Sequence, residues 1–130
     1  MLMRYEYNGH SVYNFPGGNR ENGEPIKETL EREMVEELGV SIKVNELILI
    51  GEVISKDQKA DTLHIVFSCE IIENEPVINK NETSAIDLAW IEIEEITSLN
   101  LYPNIGQELI ERLHNNKKPA YLGKIKQVWY

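Results

Sequence analysis

Residues 18–40 read GNRENGEPIKETLEREMVEELGV, and the period inside this stretch decides the reading of the chain. Ile26, Leu30, Met34 and Leu38 recur every four residues, Pro25 suits a first helical turn, and Gly39 supplies a stop. A helix is therefore expected over residues 25–38. Glu33, Glu36 and Glu37 stand on it at i, i+3 and i+4, and at about 100° per residue they share an arc of roughly 100°. Like charges this close repel, raise their own pKa values and weaken the helix, and the cation beside them in sequence is Arg32. A hard divalent cation, Mg²⁺ or Mn²⁺, neutralises such a set best, because it prefers oxygen ligands and bridges proteins to phosphates. Runs of Glu are commonly just solvated faces. Three details count against that here: the acids adjoin the apolar stripe, Gly17-Gly18 offers close backbone approach, and the helix start presents free amides suited to an anion.

Working outward, residues 2–7 alternate loosely as a short strand, Asn8-Gly9 is a hairpin turn pair, and residues 12–15 read as the returning strand. Pro16-Gly17-Gly18 breaks regular structure, and the wholly polar stretch 19–23 must be a surface loop. After the helix, residues 47–55 and 62–72 are rich in Ile, Val and Leu and read as paired strands across the polar stretch 56–61. A short strand is expected over 88–91, a helical turn over 94–99, and a second helix over 105–113 on the stripe Ile105, Leu109, Ile110 and Leu113. Without repeats or low-complexity linkers, the 130 residues make one α+β domain, 1–130.

Composition narrows the function. Thirteen Lys and Arg against twenty-two Asp and Glu leave a net charge of −9, the wrong sign for holding a nucleic-acid polymer by its phosphates. The single Cys69, inside an apolar run, excludes an intrachain disulfide and a thiolate metal site, and it reads as a small buried hydrophobe. No stretch reaches the ~18 to 20 apolar residues of a membrane span and the N-terminus lacks a signal-peptide core, so a cytoplasmic protein without a membrane partner is expected. After Glu111 the chain carries Arg112, Lys117, Lys118, Lys124 and Lys126 and no acid, a solvated helix end and exposed tail or, alternatively, a phosphate-steering strip.

Gly18, five residues, Glu24, seven residues, Arg32-Glu33, Met34, one residue, Glu36-Glu37, one residue, Gly39 and Val40 reproduce the Nudix box without a departure. At usual residue frequencies, seven fixed identities and two apolar positions match by chance on the order of once in 10⁹ windows. Phe15-Pro16-Gly17-Gly18 resembles the family's strand-to-loop approach, and Trp90 followed by Ile91, Glu95 and Ile96 resembles its continuation after the box. The resemblance implies a Nudix hydrolase of the MutT-like kind, a mixed β-sheet sandwiched between helices. It would cleave, with Mg²⁺ or Mn²⁺, the diphosphate linkage of a small nucleotide. ADP-ribose or a nucleotide sugar and a nucleoside triphosphate are the competing substrate types, and a catalytically silent nucleotide-binding sensor is the alternative function. Carried over by position, Glu33, Glu36 and Glu37 would hold metal with the Gly18 carbonyl, Arg32 would orient the carboxylates, Glu24 would brace the loop, and Gly39 is structural.

Outside the box, family resemblance and a polar loop nominate Glu82 as a general base or further ligand, with Glu33 the alternative base. His64 reads as a satisfied strand histidine, Glu52 as a strand acid facing cleft or solvent, and Tyr5, Tyr7 and Tyr13 as packing or base-stacking groups. Family members usually have a further strand before the box, whereas seventeen residues precede Gly18 here, so the first N-terminal strand reads as missing. The open sheet edge this would leave suggests a homodimer.

Overall fold

In a computed structural model the described residues are 1–56 and 60–129, so the stretch 56–61 between the paired strands lies partly outside them. The element order is β1 Leu2–Tyr7, β2 His10–Asn14, α1 Ile26–Leu38, β3 Ser41–Val53, β4 Thr62–Glu73, β5 Asp87–Ala89, a 3-10 helix Ile93–Ser98, β6 Leu101–Tyr102, α2 Gly106–His114 and β7 Ala120–Lys124. The fold is the mixed α+β architecture expected from the sequence. One sheet runs β5-β1-β2-β6 and the other β4-β3-β7.

The hairpin follows from its turn. Asn8 and Gly9 both take positive φ, 49° and 78°, which matches the twist of two strands joined by two residues and sets Tyr7 opposite His10. Along β1 the side chains alternate between two cores: Leu2 packs with Leu49, Ile105, Leu109 and Ile125, and Met3 packs with Met34, Leu38, Val40 and Ile42. The first core lies under α2 and the second under α1, so the strands are covered on both faces. Strand β3 serves both cores because its register slips between Val44 and Leu49. Val40, Ile42 and Val44 face α1, whereas Leu49 and Val53 face the other core, a change of phase that β-bulges produce.

Several expectations change. Strand β1 has hydrogen-bonded neighbours on both sides, β2 and β5, so it does not present the open edge expected of it. The apolar stripe of α1 begins at Leu30, for Ile26 is 42% exposed at the first turn while Thr29, Met34 and Leu38 are buried. Cys69 is exposed, because the outer half of β4 runs beyond the cover of the cores. The basic tail is no loose strip: Ala120–Lys124 forms β7, parallel to β3, and Ile125 after it is buried. Within that tail Arg112 donates to the Lys118 carbonyl at 2.7 Å and Lys117 pairs with Glu111. No helix of the described residues is long and apolar enough to cross a membrane.

Candidate active site

Helix α1 supplies the site, and its two ends fix where the acids stand. Pro25 precedes the first turn in an extended conformation, and Gly39 closes the last one at φ 66°, its N–H turned back to the Met34 and Val35 carbonyls. Gly17 and Gly18 pass so close to the helix that side chains there would collide with it. A Cβ on Gly17 would lie 3.2 Å from Leu30, and one on Gly18 would lie 2.1 Å from the Glu33 carboxylate.

Arg32 gathers the acids. Its guanidinium takes Glu24 in a fork, Nε to Oε1 at 2.8 Å and Nη2 to Oε2 at 3.2 Å, while Nη1 donates to Glu33 at 3.1 Å and to Glu36 at 2.9 Å. Nη2 also reaches the Asn19 carbonyl at 3.1 Å, which ties the preceding loop to the helix. Glu24 in turn accepts from the Thr29 hydroxyl and the Glu21 N–H. The Arg32 guanidinium holds the Glu24 carboxyl down to about 2, and Glu24, Glu33 and Glu36 together push the guanidinium pKa further up. The side chains of Glu24 and Glu33 are 14% and 15% exposed against 44% for Glu36, so this is a half-sheltered network with one wet edge.

Glu37 is placed differently. Burial raises its pKa and the charges of Glu33 and Glu36 raise it further, against the Thr83 hydroxyl and the Gly17 N–H, which lower it. Thr83 also shares a hydrogen bond with the Tyr5 hydroxyl at 3.1 Å. The three box glutamates thus lie along one helix face, yet their oxygens are spread: Glu33 and Glu36 turn to Arg32, Glu37 to Thr83. Among the described residues no three His, Cys, Asp or Glu side chains are gathered as a ready ligand set.

The loop bearing Glu82 is anchored to the far end of α1. The Asn79 N–H donates to the Glu37 carbonyl at 2.8 Å, its side-chain amide to the Glu36 carbonyl at 3.1 Å, and the Glu82 and Thr83 N–H groups close back on the Asn79 carbonyl. Glu82 is exposed beside buried Thr83. Sequence reasoning passed over Thr83 and Asn79, whose signal is slight, a short polar side chain in a polar loop.

Beside the box opens a cleft of about 690 Å³, reaching from Gly17 and Gly18 past Leu30 and Met34 to the face of β4. Its walls are largely apolar and aromatic, with Asn14, Asn19, Thr62 and His64 as polar side chains among them; Trp90 stands 67% exposed at its border, and among the described residues no Asp, Glu, Lys or Arg lines it. Cys69 is on its wall, and so is His64, whose Nε2 is buried with no hydrogen-bond partner, contrary to the satisfied strand histidine expected. Tyr5, Tyr7 and Tyr13 are not among its lining residues; Tyr5 and Tyr7 stack on each other at 6.2 Å, and Tyr13 packs on a core. Glu52 accepts from the Tyr121 hydroxyl on β7 and also lies off the cleft.

A family model described as NUDIX domain matches residues 1–113. The chain is similar in structure to a NUDIX hydrolase from Nitrosomonas europaea, with TM-score 0.58 and 19% identity over 95% of this chain and 70% of that one. It is also similar to a mutator MutT protein from Bacillus halodurans, with TM-score 0.57 and 28% identity over 92% and 76%. The curated proteins contain no match to the chain.

Proposed function

This chain belongs to the Nudix family and is a hydrolase of pyrophosphate bonds, and from that premise we propose that it cleaves the diphosphate linkage of a small nucleotide with Mg²⁺ or Mn²⁺. The observation that carries the reading is the network in which Arg32 holds Glu24, Glu33 and Glu36 against a glycine loop beside a cleft that, among the described residues, no Asp, Glu, Lys or Arg side chain lines. Phosphates would meet the box and the uncharged nucleoside would fill the cleft. Both an ADP-ribose or nucleotide-sugar substrate and a nucleoside triphosphate suit that division. The silent-sensor alternative finds no support in the residues, since the three box carboxylates and Arg32 are all in place.

The residues fit a hard cation. Glu33, Glu36, Glu37 and the Gly18 carbonyl offer oxygen alone, and the missing Cβ of Gly18 leaves the room that the Glu33 carboxylate uses. When bound, the cation offsets charge on the phosphoryl oxygens and lowers the pKa of the attacking water. Arg32 keeps Glu33 and Glu36 oriented, Glu24 restrains Arg32 and the loop, and Gly39 ends the helix. The water's proton goes to a carboxylate, that of Glu82 or that of Glu33. A homodimer is part of the same reading, and the outer edge of β4, unpaired among the described residues, is where a second copy would add.

Product analysis on nucleoside triphosphates, ADP-ribose and a nucleotide sugar, with Mg²⁺, with Mn²⁺ and with excess chelator, tests the assignment. Diphosphate cleavage only with a divalent cation is expected. Full turnover in chelator, or no cleavage of any of these compounds, would sink it.

A further inference from the structure

Two residues on the cleft each carry a buried polar atom that nothing in the protein satisfies. Asn14 Oδ1 and His64 Nε2 are buried without a hydrogen-bond partner, and both residues line the cleft. They belong to one wall. Asn14 lies directly beside Tyr102 in the parallel β2–β6 pair, and the Tyr102 ring stands edge-on to the His64 imidazole, centroids 5.3 Å apart and planes at 82°. Burial lowers the His64 pKa, so the ring is neutral at pH 7 and keeps one acceptor nitrogen.

Unsatisfied buried groups are uncommon and costly in folded proteins. Here two of them belong to residues that flank Tyr102 on one cleft, whose lining also carries the polar side chains of Asn19 and Thr62. Among the described residues no Asp, Glu, Lys or Arg side chain lines the cleft, so hydrogen bonding is what this lining offers for discrimination, and Asn14 and His64 are the lining residues with an unsatisfied polar atom. Sites that hydrogen-bond a ligand reject mismatched analogues far more strongly than apolar pockets do. Both groups are planar, and a half-turn about the Cβ–Cγ bond exchanges their ends. An amide offers a donor and an acceptor together, the pattern of a base edge.

We propose that Asn14 and His64 are the specificity-determining residues of the cleft, reading the donor–acceptor edge of the substrate's nucleobase. The inference rests on the nucleotide reading above, and its test separates the two. Adenosine, guanosine, cytidine and uridine monophosphates are titrated without metal into the wild-type chain, Asn14→Leu and His64→Phe. Hydrolysis of the matching triphosphates is followed separately with Mg²⁺. The wild type is expected to prefer one base at least about tenfold, the scale of one buried hydrogen bond. Each variant should compress that preference to within about threefold, the loss falling on KM rather than kcat, at an unchanged or higher Tm.

Asn14→Asp and His64→Gln, which keep size and polarity but change the donor pattern, should alter the rank order of the bases, and they serve if an apolar variant fails to fold. A wild type that binds all four within threefold, or variants that keep the wild-type preference, would overturn the proposal. Base-selective binding without hydrolysis would remove the pyrophosphatase reading and leave this one standing.

Discussion

A methyl group on Gly18 would fall 2.1 Å from the Glu33 carboxylate, the far end of a flexible side chain and not backbone. Gly18→Ala should therefore fold, with a Tm within a few degrees of wild type, while Glu33 is turned out of place and turnover drops at least about tenfold; unchanged turnover would remove Glu33 from the reacting set. Glu37→Gln tests the neighbouring acid. Its carboxyl pKa is raised by burial first and by Glu33 and Glu36 next, so as a charged group at pH 7 it opposes folding. The variant should lose activity by about 10² or more, the range set by displaced charge stabilisation, and melt no earlier than wild type. Glu24 works with the opposite sign. Arg32 depresses its carboxyl to about 2, so its contribution to stability is whole above the unfolded value of 4.5 and is lost as pH falls towards 2. Acid unfolding of Glu24→Gln should accordingly be flatter between those pH values, and a curve of wild-type shape in that window would separate the pair from stability. At this scale the box was legible, since spacing on a helix dictates which side chains can meet. Thr83, Asn14 and the orphaned His64 nitrogen were not, because each gains its meaning from a neighbour 38 to 88 positions away in sequence.

Elements were legible where they carry a strong local period and lost where they depend on a distant partner. The helix from Pro25 onward, the Asn8-Gly9 hairpin and the two long strands were all expected, with β3 starting earlier, at Ser41, than its apolar run suggests. The two-residue β6 and the five-residue β7 were missed, for Ala120–Lys124 is short, flanked by lysines and formed only by parallel pairing with β3. That pairing has a tight point. Gly51 on β3 faces the buried Ile125, and a Cβ there would lie 2.6 Å from Ile125 Cδ1 and 2.9 Å from Cγ1. Gly51→Ala is overpacking and should cost about 1–3 kcal/mol. Gly51→Ala with Ile125→Val, which trims the clashing δ-methyl, should recover much of that loss. Denaturant midpoints of both single variants and the double variant measure the coupling, and simple additivity would detach β7 from this part of β3.

The whole molecule sets an acidic surface, net charge −9, around a site that itself concentrates acids, with Arg32 answering Glu24, Glu33 and Glu36 at once. The two cores on opposite faces of the strands make α1 a rigid edge of the sandwich: Met34 and Leu38 are held in the core, and the carboxylates on the neighbouring arc cannot separate by moving the helix. What repulsion remains beyond the Arg32 ion pairs is relieved by side-chain rotation, by protonation of Glu37 or by a bound cation. Binding to the folded state alone stabilises it by about 2.7 kcal/mol at a hundredfold excess over Kd, which for a domain of this size raises Tm by about 10 °C. Titrating Mg²⁺ or Mn²⁺ should therefore raise Tm, excess chelator should reverse the rise, and Glu36→Gln and Glu37→Gln should each blunt it. Cys69→Ala should leave it intact, since an all-oxygen site has no use for the exposed thiol. Inert NaCl at matched ionic strength separates the specific effect from screening of the negative surface, which is general and salt-nonspecific. A Tm that rises equally with NaCl, or equally in Glu37→Gln and wild type, would show that the helix carboxylates are only a solvated face and would send the search for the metal elsewhere in the chain.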